Sequence, residues 1–321
     1  MINSIFNINN NNDFKKIALD IFKYQAKNNK VYKNYLQHLD INSDKVRKIN
    51  DIIYLPIILF KSHEVKIQNE YDVIFRSSGT TNKKKSNNYI YQLSLYNETI
   101  IKNFEYFFGD IKQYTFIGVC PEYKHNKQSS LLYMINQFIK KSQNQLSSFC
   151  NNNFEIIDNL ILQSYKIKKT PILFGISSLL MELAEKNNKN YQNCIIVETG
   201  GSKGLKQEIT KDEMYKFLKQ KLKPKYIYSE YSMTELMSQA YALKQNQFQT
   251  PPWMKIKIRN INNPFDILKD NKTGGLNIID LANYNTCSFI QTDDIGRQNN
   301  NIFEIFGRYD NSMARGCSML N

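Results

Sequence analysis

Cysteine, histidine and arginine are scarce in this 321-residue chain. The five cysteines, Cys120, Cys150, Cys194, Cys287 and Cys317, show no CxxC spacing and are odd in number. Neither a zinc site nor a disulfide framework is indicated, and in a reducing compartment most would be buried, inert thiols. Only three histidines occur, and a lone one such as His125 reads as structural or solvated. Arginine supplies only 6 of the 43 basic residues; the other 37 are lysines spread along the whole chain among 41 asparagines. A nucleic-acid footprint concentrates Arg and Lys on one face, so the net charge of +14 reads as a compositional bias, and no nucleic-acid partner is expected. The diffuse charge attracts anionic substrates as a by-product. No stretch approaches the ~18 consecutive apolar residues of a membrane span. Met1 to Asn12 carries neither a basic nor an apolar targeting region. A cytoplasmic protein with no membrane span is the expectation.

Apolar material is plentiful, at 41% hydrophobic with 21 Tyr and 19 Phe, which excludes a disordered chain. The pattern predicts amphipathic helices over 13–27 and 31–39, then a buried extended segment over 52–60, where Pro56 argues against a regular helix. From residue 71 to 229 predicted strands alternate with predicted helices, one of them opened by a Thr210/Glu213 capping box. That alternation implies an α/β fold with a mostly parallel sheet. From about Pro251 helical periodicity fades, and short strand-like runs separated by Asn- and Gly-containing turns predict a smaller β-rich subdomain.

Five polar segments punctuate these elements. Ser77-Ser78-Gly79-Thr80-Thr81 follows a predicted strand and precedes Lys83 to Lys85. Small hydroxyl residues and a glycine allow backbone N–H groups and side chains to converge on a phosphate. The segment departs from the GxxxxGK[ST] pattern, and by itself it also reads as an ordinary turn. Thr199-Gly200-Gly201-Ser202 follows a second strand, where paired glycines let a flat ring approach the backbone; a simple β-turn is the alternative. In Tyr231-Ser232-Met233-Thr234-Glu235 a hydroxyl and a carboxylate could hold an α-phosphate and Mg²⁺ beside a stacking tyrosine, or Thr234 and Glu235 could merely start a helix. Thr292-Asp293-Asp294-Ile295-Gly296-Arg297 offers an Asp at a strand end for ribose hydroxyls. Gly307-Arg308-Tyr309-Asp310 leads towards Arg315-Gly316-Cys317.

In this order on one α/β chain, the five segments resemble the adenylate-forming superfamily of acyl-CoA synthetases, firefly-type luciferases and peptide-synthetase adenylation domains. SSGTT is similar to its phosphate loop, TGGS to its adenine shelf, YSMTE to its YGxTE motif, TDDIG to its ribose-binding TGD, and GRYD to its hinge. LPIILFKSH ahead of the phosphate loop and the ending RGCSML resemble, more narrowly, the acyl-protein synthetases, the fatty-acid-activating component of the bacterial fatty-acid reductase. The resemblance runs from about Ile52 onward. With the helices read as an N-terminal helical layer over 1–50, it implies an α/β nucleotide-binding body over 51–250 and a β-rich subdomain over 251–321 ending at a hinge-like segment. That segment is one residue shorter than the family's and lacks its lysine, and the C-terminal lid domain is expected to be absent.

The implied chemistry is attack of a carboxylate, such as that of a long-chain fatty acid, on the α-phosphate of ATP. Mg²⁺ would lie on Glu235; Thr234 and Ser77 to Thr81 would contact phosphate oxygens; Asp294 would bind the ribose and Arg308 the ribose or phosphates. Tyr231 with Gly200, Gly201 and Ser202 would enclose the adenine. No general base is required, since a carboxylic acid is ionised at neutral pH. The resemblance further implies acyl transfer to Cys317, favoured as a thiolate by Arg315, and then to a partner such as an acyl-protein reductase. Cys120, Cys194 and Cys287, beside apolar runs, are expected in the core. Two alternatives remain: an acyl- or aryl-CoA ligase of the phenylacetate type, and a basic RNA-binding or scaffold protein with a decayed nucleotide site, which intact Thr234, Glu235, Asp294 and Arg308 oppose.

Overall fold

Two asparagines start the first helices in the computed structural model, which describes residues 5–78, 84–186, 189–199 and 209–309. The Asn10 side chain accepts the backbone N–H groups of Asn12 and Asp13 at the start of α1 (Asn11–Asn28), and Asn29 accepts that of Tyr32 in α2 (Lys30–His38). Of the stripe the sequence predicts, Phe14, Ile17, Ala18, Ile21 and Phe22, α1 buries all but Ile17, which is half-buried. Phe22 and Tyr32 pack their rings against Phe289.

Residues 52–60 are not one extended piece. β1 (Leu55–Pro56) pairs in parallel with Ile290 and Gln291, but Pro56 has no N–H to continue the ladder. Ile57 donates to the Gln291 carbonyl at 2.9 Å, and the chain then turns into α3 (Leu59–Ser62), leaving Ile58 exposed. Next, β2 (Val73–Arg76) and β3 (Asn87–Ile90) form an antiparallel pair, with Arg76 opposite Asn87. The polar Asn87-Asn88 start conceals β3 from a reading by hydrophobic pattern.

The remaining elements are α4 (Leu93–Phe108), β4 (Tyr114–Val119), α5 (Ser130–Lys141), β5 (Ser148–Phe149), α6 (Phe154–Lys166), β6 (Thr170–Ile176), α7 (Ser177–Lys186), β7 (Ile195–Thr199), α8 (Lys211–Leu222), β8 (Tyr226–Tyr231), β9 (Ala240–Lys244), β10 (Gln247–Gln249), β11 (Met254–Arg259), β12 (Thr273–Asp280), β13 (Phe289–Asn299) and β14 (Ile302–Arg308). Among the described residues no helix is long and apolar enough to cross a membrane.

The chain forms two units, one from Met1–Tyr96, Met233–Ser238 and Gln249–Asn321, the other from Asn97–Ser232 and Gln239–Phe248. The second unit carries strands in the order β10-β9-β8-β7-β6-β4-β5, parallel from β8 to β5, with β9 antiparallel to β8. Its core places Leu173, Ile196, Leu180, Leu183 and Leu218 in one cluster, while the rings of Phe104, Phe116, Phe138 and Phe174 meet in sequence. Sequence reading passes over α6, although Asn153 caps it and it buries Ile157 and Ile161; its exposed Ile156 and Leu162 blur the amphipathic stripe. The capping box of α8 is present as expected, Thr210 and Glu213 exchanging hydrogen bonds.

In the first unit β11, β12, β13 and β14 form an antiparallel array in that order. Between β12 and β13 the register passes from Gly275 opposite Ile295 to Asn277 opposite Gln291, so residues 292–294 bulge opposite Leu276. Such bulges re-aim side chains at sheet edges and sites. A second irregularity between β13 and β14 falls beside Gly307, at φ +145°.

Close approach of β4 and β6 in the second unit depends on Gly175, where an added Cβ would lie 2.7 Å from the Val119 Cβ and 2.8 Å from its carbonyl oxygen. Gly175→Ala is expected to destabilise the protein by ~1–3 kcal/mol through overpacking against backbone, measured as a lowered denaturant midpoint.

Candidate active site

β8 ends at Tyr231, and the chain passes into the first unit between Ser232 and Met233. No helix follows: Leu236 N–H closes a turn on the Met233 carbonyl at 3.0 Å, and the chain continues to β9. The possibility that Thr234 and Glu235 start a helix is therefore excluded. Side chains from elsewhere in the unit hold this irregular backbone instead. Asn88 Nδ2 donates to the Thr234 carbonyl at 2.9 Å, and Asn283 Nδ2 donates to those of Glu235 at 2.7 Å and Cys287 at 2.9 Å. Asp280 accepts the N–H groups of Met237 and Ser238, each at 2.9 Å, the Ser238 hydroxyl at 2.8 Å and the Ala282 N–H at 3.2 Å. Trp253 Nε1 completes the set by donating to Ser238 Oγ at 2.9 Å. Burial pushes the Asp280 carboxyl above its ordinary range, and these hydrogen bonds oppose that shift.

Glu235 is 4% exposed. Desolvation raises its pKa, while Ser86, its own backbone and the charges of Arg308 and Lys61 favour the ionised form. The Ser86 hydroxyl is buried near it without a well-formed hydrogen-bond partner among the described residues. Asp294, also buried, accepts from Arg308 Nε at 3.0 Å. The bulge directs it there: Asp294 N–H donates to Thr292 Oγ1 at 3.1 Å, and that hydroxyl donates to the Leu276 carbonyl at 2.9 Å. Ser77 spans the neck of the β2–β3 connection, its N–H donating to the Ser86 carbonyl at 3.0 Å and its Oγ accepting the Ser86 N–H at 2.9 Å. Gly79, Thr80, Thr81, Gly200, Gly201, Ser202, Cys317 and the hinge-like residues from Asp310 lie outside the described residues.

The second unit contains a polar network at the carboxyl ends of β7 and β8 that the sequence reading does not single out. Glu198 accepts from Ser177 Oγ and Lys211 Nζ, both at 2.9 Å, and from the Ser229 hydroxyl, which also meets the Tyr215 hydroxyl at 2.5 Å. The Thr199 hydroxyl donates to Glu230, the residue before Tyr231. Burial pushes the Glu230 carboxyl up to about 7 against the pull of Ser232 and Thr199. Its Oε1 has no hydrogen-bond partner among the described residues. A glutamate inside each of the apolar strands IIVET and YIYSEY is the signal that could have marked both. Tyr231 meets Phe248 edge-on at 6.0 Å.

Cys120, Cys194 and Cys287 are core residues as expected, fully buried with thiols pushed up to about 12 by desolvation. Among the described residues no group of three or more His, Cys, Asp or Glu could hold a metal ion. A single carboxylate, Glu235, with the Ser86 hydroxyl beside it suits a Mg²⁺ that arrives on a nucleotide's phosphates better than an ion held in a protein cage.

Among solved structures the chain is similar to 2-hydroxyisobutyryl-CoA ligase in the postadenylation state with R3-HIB-AMP, at TM-score 0.66 and 11% identity, over 93% of this chain and 68% of that one. The chain shares the fold of that ligase over the aligned residues. ATP-bound MatB from Rhodopseudomonas palustris aligns at TM-score 0.55 and 11% identity over 75% of this chain and 49% of its own. A double mutant of o-succinylbenzoate CoA synthetase (MenE) from Bacillus subtilis aligns at 0.52 and 14%, over 74% and 48%. No protein-family model and no curated protein matches the sequence.

Two tests follow from the buried carboxylates. Removing Asp280 strands the N–H groups of Met237 and Ser238, so Asp280→Ala is expected to cost ~3–5 kcal/mol by denaturant unfolding. The folded Glu230 keeps its proton up to about 7, against an ordinary value of 4.5, so native stability falls as pH rises through that interval. Glu230→Gln should therefore match the wild type in thermal midpoint at about pH 4 and exceed it by a few degrees at about pH 8.

Proposed function

We propose that this protein activates a carboxylic acid with ATP, forming an acyl-adenylate and releasing pyrophosphate. A carboxylate oxygen of the acid attacks the α-phosphorus, and the bond to the β-phosphate oxygen breaks. The observation that carries this reading is the buried Glu235, whose ionised form is favoured by the Ser86 hydroxyl and by the charges of Arg308 and Lys61, on an adenylate-forming fold. In this reading Glu235 would hold Mg²⁺, which when bound supplies charge neutralisation on the phosphates. Thr234, Ser77, Ser78, Gly79, Thr80 and Thr81 orient phosphate oxygens, Asp294 binds the ribose, and Arg308 stabilises charge on the nucleotide. Tyr231, Gly200, Gly201 and Ser202 line the adenine.

The narrower reading is an acyl-protein synthetase acting on a long-chain fatty acid. The Cys317 thiolate would attack the acyl carbonyl, AMP would leave, and the resulting thioester would pass to an acceptor protein such as an acyl-protein reductase. Coenzyme A is the second reading for the acceptor, favoured by the CoA ligases and synthetase among the structurally similar proteins.

Incubation with ATP, Mg²⁺ and labelled acids of different chain lengths should give acid-dependent exchange of pyrophosphate into ATP and label covalently bound to the protein. No exchange with any fatty or aryl acid would overturn the adenylating reading. Glu235→Gln is expected to lower exchange by about 100-fold with little change in thermal midpoint. Cys317→Ser should keep exchange and lose the label; an unlabelled wild type that forms acyl-CoA would favour the second reading.

A further inference from the structure

We infer that Arg259 is a positioning residue that fixes the Thr292–Asp294 bulge and, through it, the grip of Asp294 on the nucleotide's ribose. The inference rests on the adenylating reading above and assigns the bulge a support outside all five polar segments. Arg259 is the last residue of β11 and is 8% exposed. Its Nη2 donates to the Thr292 carbonyl at 2.8 Å. The guanidinium reaches this position across the bare face of Gly275, where a Cβ would lie 1.4 Å from Nη1 and 2.2 Å from Cζ. The neighbouring Gly274 is equally constrained, since a Cβ there would lie 2.2 Å from the Arg259 carbonyl oxygen. Gly275 thus clears a path for the side chain, and Gly274 makes room for the Arg259 backbone.

The placement is energetically unfavourable for a residue with only a packing role. Arg259 Nε and Nη1 are buried with no hydrogen-bond partner among the described residues. Burial lowers the guanidinium's affinity for its proton, and the nearby Asp293 charge opposes this. A buried cation with so few hydrogen bonds is costly, and local conflicts of this kind concentrate at functional sites.

What Arg259 secures is a peptide plane. The Thr292 carbonyl belongs to the peptide joining Thr292 to Asp293. With that oxygen held by Arg259 and the Thr292 hydroxyl held to Leu276, both the backbone and the side chain of the first bulge residue are fixed. The step from there to Asp294 is short, and Asp294 N–H is itself tied to the Thr292 hydroxyl. Without Arg259 the plane can rotate, and the carboxylate loses its aim while the rest of the site is untouched.

The test compares pyrophosphate exchange with ATP, 2′-deoxyATP and 3′-deoxyATP in the full chain. Wild type is expected to prefer ATP over at least one deoxynucleotide by about tenfold or more. Arg259→Met should shrink that preference to within about threefold, raising KM for ATP more than it lowers kcat. Arg259→Lys, which can still reach the carbonyl with one donor, should retain most of the preference. Gly275→Ala displaces the guanidinium without removing it and should reproduce the methionine phenotype, which keeps the comparison available if Arg259→Met does not fold. Undiminished ribose discrimination in folded Arg259→Met, or in Gly275→Ala should the former not fold, would overturn the inference, as would a wild type that exchanges but does not discriminate. A wild type with no exchange would overturn the adenylating reading and this inference with it.

Discussion

The first unit's candidate site depends on the carboxylate of Asp280. An irregular segment with no helix or strand bonds of its own needs another source of backbone satisfaction, and buried N–H groups left unpaired are expensive. Asp280 sits at the end of β12 and accepts from Met237, from Ser238 twice and from Ala282, while Asn88, Asn283 and Trp253 contact the same stretch. Thr234 and Glu235 are therefore presented on a backbone fixed from several directions. A group that aligns phosphates must be held this way before substrate arrives, because alignment achieved during binding subtracts from the catalytic effect.

The two units manage buried carboxylates differently. Asp280 is saturated with donors, which oppose the upward push of burial on its carboxyl. Glu198 is matched by Lys211 and by hydroxyls. Glu230 faces Thr199 and Ser232 with one oxygen unpartnered among the described residues, and burial pushes its carboxyl up to about 7. In Asp280 and Glu230 alike burial raises the pKa and donated hydrogen bonds oppose it.

Much of the fold was legible. Strand and helix alternation through the middle of the chain, the capping box at Thr210 and the buried stripe of α1 all follow from period and cap chemistry. Polar segments at strand ends were legible as well, because small and hydroxylic residues interrupting apolar runs stand out. What escaped was long-range. Nothing near Asp280, Asn283 or Asn88 in the sequence shows that their side chains meet the 234–238 segment, which in the case of Asn88 lies 146 positions away. The Thr292–Asp294 bulge in β13 was equally hidden, since a bulge is a relation between strands rather than a property of one. α6 and β3 were missed for local reasons: exposed apolar residues on the helix and two asparagines opening the strand.

The Ser77–Ser86 neck sets what the connection it closes can tolerate. Because the N–H and hydroxyl of Ser77 close on Ser86, the β2–β3 pair keeps its register whatever the connection between them contains. Lengthening a closed connection is thermodynamically cheap, about 0.6 kcal/mol for each doubling. The connection can therefore change in length at little cost to the frame that presents Ser86 beside Glu235.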